Sequence, residues 1–136
     1  MPKTDVDHLS EPVLRVIEGW VEFADDGVPV DLGVFPANSF IFREIYEVTE
    51  AFNDSGTDEL ELGWTADPDA ISGAAVDNPV DSIQIKDKNI VASLGVGAGF
   101  NATGRTVQAL YTGQNSDASA GKVHVTVFYF VATASP

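Results

Sequence analysis

The chain has 136 residues, no cysteine, and 7 basic against 21 acidic side chains, a formal charge of −14. That length is one domain's worth and is enough to bury a core. The missing cysteines exclude disulfides, thiolate metal sites and cysteine nucleophiles, and the acidity argues against nucleic acid or an anionic membrane as a partner, since both need clustered Lys and Arg.

The charge is uneven along the chain. Residues 1–68 hold 16 acidic and 3 basic side chains, and residues 69–136 hold 5 and 4. The sequence thus predicts a strongly acidic surface region and a nearly neutral one, with the neutral half contributing more to any buried contact. The first residues, Met1 to Asp5, contain no apolar h-region, and no apolar run approaches the roughly 20 residues of a membrane-spanning helix. The chain reads as soluble and made in the cytoplasm.

Residues 1–12 are polar, end in Pro12, and read as a flexible N-terminal arm ahead of one domain over 13–136. A strand is predicted over Val13–Phe23, and Asp25-Asp26-Gly27 is a turn signal. Val28–Val34 alternates as a strand does, but its Pro29 suits an edge or a bulge. Phe40–Phe52 is the longest strand candidate. Its apolar residues change parity midway, which a β-bulge near Arg43-Glu44 would reconcile.

Asp54-Ser55-Gly56-Thr57 turns the chain, and Leu60, Leu62 and Trp64 then alternate with Glu59, Glu61 and Gly63 as in a half-buried strand. Residues 67–80 are rich in loop formers, with room for one short helical or extended piece at Ala70–Ala75. Ile83 with Ile85, and Ile90–Leu94, mark two short strands. Gly95, Gly97 and Gly99 form a bend, Arg105–Tyr111 a strand, and Thr112–Gly121 a long turn.

Lys122–Val131 is the clearest strand. Val123, Val125, Val127, Tyr129 and Val131 make one apolar face. The opposite face starts polar at Lys122, His124 and Thr126 and becomes apolar at Phe128 and Phe130, so something must cover that end. About eight or nine strands with almost no helical periodicity give an all-β fold. The natural architecture is a two-sheet antiparallel sandwich of jelly-roll type, with an up-and-down barrel as the alternative.

Chemistry is thinly represented. Of two histidines, His8 lies in the arm and His124 on a polar strand face, and no G-x-S-x-G occurs, so no nucleophilic triad is legible. The glycine bend places Phe100 where a dinucleotide fingerprint needs glycine. Two separated histidines without H-x-H spacing speak against a cupin-like metal enzyme. Twenty-one carboxylates make any chosen acid pair uninformative. The inorganic ligand the sequence best accommodates is calcium, from Asp54 and Asp58 at one turn and Asp67 and Asp69 at another; the same residues are ordinary turn formers. Trp20, Trp64 and Tyr111 could stack on sugars, or pack in a core or interface.

Several short motifs occur in a particular order. The segment from Phe35 to Ala70 opens with Pro-Ala-Asn and runs through a long apolar strand ending Val48-Thr49-Glu50-Ala51-Phe52. A turn, Gly63-Trp64 and Asp67-Pro68-Asp69 follow. The chain later closes on Ala120-Gly121-Lys122-Val123-His124-Val125-Thr126-Val127-Phe128-Tyr129. Over roughly residues 28–132 this order resembles the small jelly-roll virion structural proteins of tailed bacteriophages. The sequence departs from their pattern at Glu50, where a threonine is usual before Ala-Phe, and in its density of acids.

The resemblance implies a non-enzymatic decoration, or cement, protein. It would sit on the capsid exterior, form a homotrimer, and clamp neighbouring copies of the major capsid protein. The residues themselves fit such a role: the closing strand is apolar on both faces, so Phe128 and Phe130, with Phe100, are expected to line subunit or capsid contacts, and the polar arm at 1–12 to embrace an adjacent coat protein. The alternative is a tail or fibre component that binds host-surface glycans through loops such as Thr112–Gly121.

Overall fold

The computed structural model describes residues 14–72, 79–89, 100–101 and 103–131. Their strands are β1 (Leu14–Glu22), β2 (Val30–Phe35), β3 (Ser39–Glu50), β4 (Asp58–Gly63), β5 (Gln84–Asn89), β6 (Phe100–Asn101), β7 (Arg105–Gly113) and β8 (Lys122–Val131), with one 3-10 turn at Phe23–Asp25. The arm at 1–12, the Ile90–Leu94 strand and the glycine bend at 95–99 lie outside the described residues, as does the end of the Ala70–Ala75 piece.

All ladders are antiparallel. The first sheet has the order β1-β8-β3-β5, with β6 also pairing β3; the second has the order β2-β7-β4. The last strand thus inserts between the first and third, and the seventh between the second and fourth. This nested order is a double Greek key, so the fold is the jelly-roll sandwich that the strand pattern predicts, not an up-and-down barrel.

Inward-facing residues of both sheets form one core. Val123, Val125 and Val127 of β8 and Ile41, Tyr46 and Val48 of β3 come from the first sheet; Leu60, Leu62, Val107, Ala109 and Tyr111 come from the second. The closing strand has the predicted bounds, because ten residues of strict period two leave one register that buries the valines.

Other predicted strands are displaced. The strand expected over Val28–Val34 is Val30–Phe35, with Val28 and Val34 exposed and Phe35 buried, since a register shift between Asp31 and Gly33 reverses the faces there. The Leu60–Trp64 strand begins earlier, at Asp58, and ends at Gly63, where the Asp67–Pro68 backbone packs against the glycine. Phe52 lies beyond β3 yet is buried. Ile83 precedes β5, and Ile83 and Ile85 are 74% and 70% exposed. β5 is an edge strand in which Ile85 pairs Glu47 of the outer face, so its apolar pair does not enter the core.

The bulge in β3 falls between Ile41 and Arg43, at Phe42, one residue before the predicted place. It keeps Ser39 and Ile41 inward on one side and Glu44, Tyr46 and Val48 inward on the other. It also leaves Phe40, Phe42 and Arg43 together on the outer face beside β8.

Candidate functional site

The outer face of the first sheet is graded along its strands. At one end, Phe130 of β8 pairs Leu14 of β1 and Phe40 of β3, and Phe128 pairs Val16 and Arg43. The Phe40 and Phe130 rings stack at 5.2 Å and 16°, and Phe42 leans on Phe130 at 5.9 Å and on Phe128 at 6.5 Å. These four rings are half-buried, while Leu14 and Val16 are 59% and 49% exposed. Phe40 and Phe42 flank Phe128 and Phe130 on the neighbouring strand, so the aromatic patch is widened by the bulge. β6 brings the backbone of Phe100 opposite Phe40, at the same end of the sheet.

Arg43 frames this patch. Its guanidinium lies 5.4 Å from the Phe128 centroid and holds Asp87 of β5 through two bonds, Nε to Oδ1 at 2.7 Å and a terminal nitrogen to Oδ2 at 2.6 Å. The side-chain hydrogen bonding raises the arginine pKa further and holds the Asp87 carboxyl below its ordinary value. A paired arginine beside clustered aromatic rings is the composition found at the centres of protein interfaces.

At the other end the face is polar. Trp20 lies 4.7 Å from the His124 ring and 4.7 Å from the Lys122 ammonium; His124 is 3.6 Å from Glu18, and Lys122 is 3.7 Å from Glu22. Trp64 likewise carries Arg105 at 4.6 Å and meets Phe35 edge-on. Tyr111 is wholly buried. Of the three aromatics that could stack on sugars, Trp20 and Trp64 thus have a cation against the ring and Tyr111 lies in the core.

The predicted calcium carboxylates are divided between two places. Asp54 accepts backbone N–H bonds from Gly56 at 2.7 Å, Asn115 at 3.0 Å and Asp117 at 3.0 Å. Burial opposes its ionisation, but these donors outweigh the burial and hold its carboxyl below the ordinary value. Asn53 and Ser55 extend the clasp to Ser119, Ala120 and Asp117. The predicted 112–121 turn is therefore tied along its length to the 53–57 turn. Asp58 is 3% exposed and accepts the Tyr111 hydroxyl and the Asp54 N–H; burial pushes its carboxyl up.

Asp67 and Asp69 are joined to each other, and that hydrogen bond, then burial and the neighbouring charge, raise the Asp67 carboxyl. Among the described residues no three His, Asp or Glu side chains converge as metal ligands would. In this structure Asp54 and Asp58 act as acceptors that fix loops. The sequence shows carboxylates at turns, but it does not show which amides fold onto them.

No family model matches the chain, and no curated protein matches its sequence. Solved structures do match in fold. A chain of the cyanophage Pam1 capsid asymmetric unit aligns with a TM-score of 0.64 at 15% identity, over 88% of this chain and 86% of that one. A chain of the acid-stable capsid of Helicobacter pylori bacteriophage KHP30 gives 0.56 at 15% identity, over 89% and 90%. One from the capsid of Ralstonia phage GP4 gives 0.54 at 14% identity, over 91% and 86%. At these identities the likeness is one of fold.

Proposed function

We propose that this chain is a non-enzymatic virion structural protein of a bacteriophage: a decoration protein that sits on the capsid exterior and clamps neighbouring copies of the major capsid protein. The observation that carries this reading is the aromatic end of the first sheet's outer face. A single small domain gains nothing from holding Phe40, Phe42, Phe128 and Phe130 half in water with Leu14 and Val16 beside them, unless another surface covers them. The fold shared with chains of three phage capsids supports the same reading.

In this reading Phe128 and Phe130, with Phe100 at the same end, line the subunit and capsid contacts of a homotrimer. Residues 1–12, which lead into Leu14 beside the aromatic rows, reach onto an adjacent coat subunit. The glycan-binding tail or fibre role finds less support, because Trp20 and Trp64 already lie under cations.

Copy number decides between the virion readings. Quantitative mass spectrometry of purified particles should give a ratio to the major coat protein within a small factor of one. A few copies per particle would move the protein to the tail, and its absence from particles would overturn both readings. Deleting residues 1–12 should weaken capsid attachment without unfolding the domain; full affinity in the truncated protein would remove the arm from the account.

A further inference from the structure

The outer face of the second sheet carries a feature that the aromatic patch does not explain. A cleft of about 420 Å³ opens between the start of β2, the middle of β7 and the turn after β4, lined by Pro29, Asp31, Thr65, Pro68, Gln108 and Leu110. Its volume is in the range of sites that accept a small ligand or a few side chains. Pro29, Pro68 and Leu110 give it an apolar floor. Its polar wall is fixed: Gln108 donates from Nε2 to Asp31 at 2.8 Å and accepts from the Thr65 hydroxyl at 3.2 Å.

The surroundings are acidic. Leu110 pairs Glu61 of β4, and Pro68 lies between Asp67 and Asp69. The Glu61 carboxyl is pushed up by burial, then by Asp69 and Glu59, and the Asp67 carboxyl by its bond to Asp69. Negative charge is thus concentrated beside the cleft, with Glu61 set against Asp69 and Glu59. Arg105 acts on Asp67 alone of these and is seated over Trp64, away from the cleft lining. Among the described lining residues there is one carboxylate and no basic side chain. An incoming cation with an apolar stem would offset this negative charge and fill the floor.

We infer that this cleft is a docking groove for a basic segment of a partner protein, one arginine or lysine entering beside Asp31 with flanking apolar residues on Pro29, Pro68 and Leu110. The groove lies on the sheet opposite the aromatic face, so the two surfaces are separate. The inference does not depend on the virion reading, and it tests separately from it.

The test uses the isotopically labelled full chain and three short acetylated, amidated peptides, Gly-Leu-Arg-Leu-Gly and its Gln and Glu counterparts at the central position. The arginine peptide should shift the amide resonances of Asp31, Thr65, Gln108 and Leu110 in a saturable way, and added salt should weaken it. Asp31→Asn and, separately, Glu61→Gln should each weaken binding by about fivefold, while Glu18→Gln on the opposite face should leave it unchanged. Equal binding of the glutamine peptide, shifts spread evenly over all acidic loops, or no shift at all would each overturn the inference. None of these results bears on capsid attachment through the aromatic face, which is read by virion copy number.

Discussion

The Tyr111 hydroxyl donates to Oδ1 of Asp58 at 2.5 Å inside the sandwich, where Tyr111 is inaccessible and Asp58 nearly so. The pair joins β7 to the start of β4, and Asp58 also accepts the Asp54 N–H at 3.3 Å. One buried bond thus links the core to the base of the loop clasp. Tyr111→Phe keeps the ring and removes the donor, leaving a desolvated carboxylate short of a partner. The expected cost is about 1–3 kcal/mol, read as a lower urea midpoint with an unchanged m-value. An unchanged midpoint would show that Asp58 finds another donor at no cost.

Tyr111 and Tyr46 are both raised well above the ordinary phenol value. Burial is the main cause for each, followed by the bond to Asp58 for Tyr111 and the charge of Glu44 for Tyr46. In the unfolded chain both ionise near 10. Above that pH the unfolded state binds fewer protons than the folded state, so stability falls as pH rises. The slope should approach about 1.4 kcal/mol per pH unit for each tyrosine. Denaturation series between pH 9 and 11 should show this decline, and Tyr46→Phe should remove its share. A flat profile would mean that these phenols ionise freely in the folded protein.

The acid side has two opposing parts. Asp58, Glu61 and Asp67 are raised, so the folded state takes up protons first and gains stability as pH falls from neutrality into the mildly acidic range. Asp54 is lowered, so its contribution is present above the unfolded carboxyl value near 3.9 and is lost as pH falls through its folded value. The optimum should therefore be mildly acidic. Once pH falls through the depressed Asp54 value the clasp between 53–57 and 114–120 should open before the core. Hydrogen exchange at the amides of Asn115 and Asp117 reads this directly. Asp54→Asn should give fast exchange there already at neutral pH; protection that survives in this variant would show that the Asn53 and Ser55 bonds suffice.

Much of the fold was legible in the sequence where one physical signal dominated. β8 shows strict alternation, and the parity change in β3 announces a bulge within one residue of where it falls. Ile83 and Ile85 marked a short strand, found at Gln84–Asn89, but alternation does not give a strand's place in a sheet: both isoleucines are exposed while Gln84 and Lys86 are half-buried. The two sequence halves do not form separate sheets, because the nested topology places β8 from the second half between β1 and β3 from the first. The groove was not legible at all. Its residues come from three distant segments, around 29–31, 65–68 and 108–110, and none belongs to a motif.

Gly121 precedes the closing strand with φ +146, a backbone conformation that L side chains rarely adopt. A Cβ there would also strike the ring of Phe52, which is buried against Tyr111 at a centroid distance of 4.3 Å. The Gly121 N–H donates to Glu50 at 2.9 Å, and its carbonyl accepts from Phe23, so the residue cannot shift without breaking ties to β3 and to the turn after β1. Gly121→Ala thus meets both strain and overlap, and should destabilise the domain by about 2–4 kcal/mol. Gly27→Ala is the control: its φ is +72 but open space surrounds it, so strain alone should cost about 1 kcal/mol. Thermal unfolding of the two variants side by side should show the larger loss at Gly121, where a stricter backbone conformation and the Phe52 overlap act together. Equal losses would show that the Phe52 ring yields freely, and that the β7–β8 loop is held by its hydrogen bonds and not by packing.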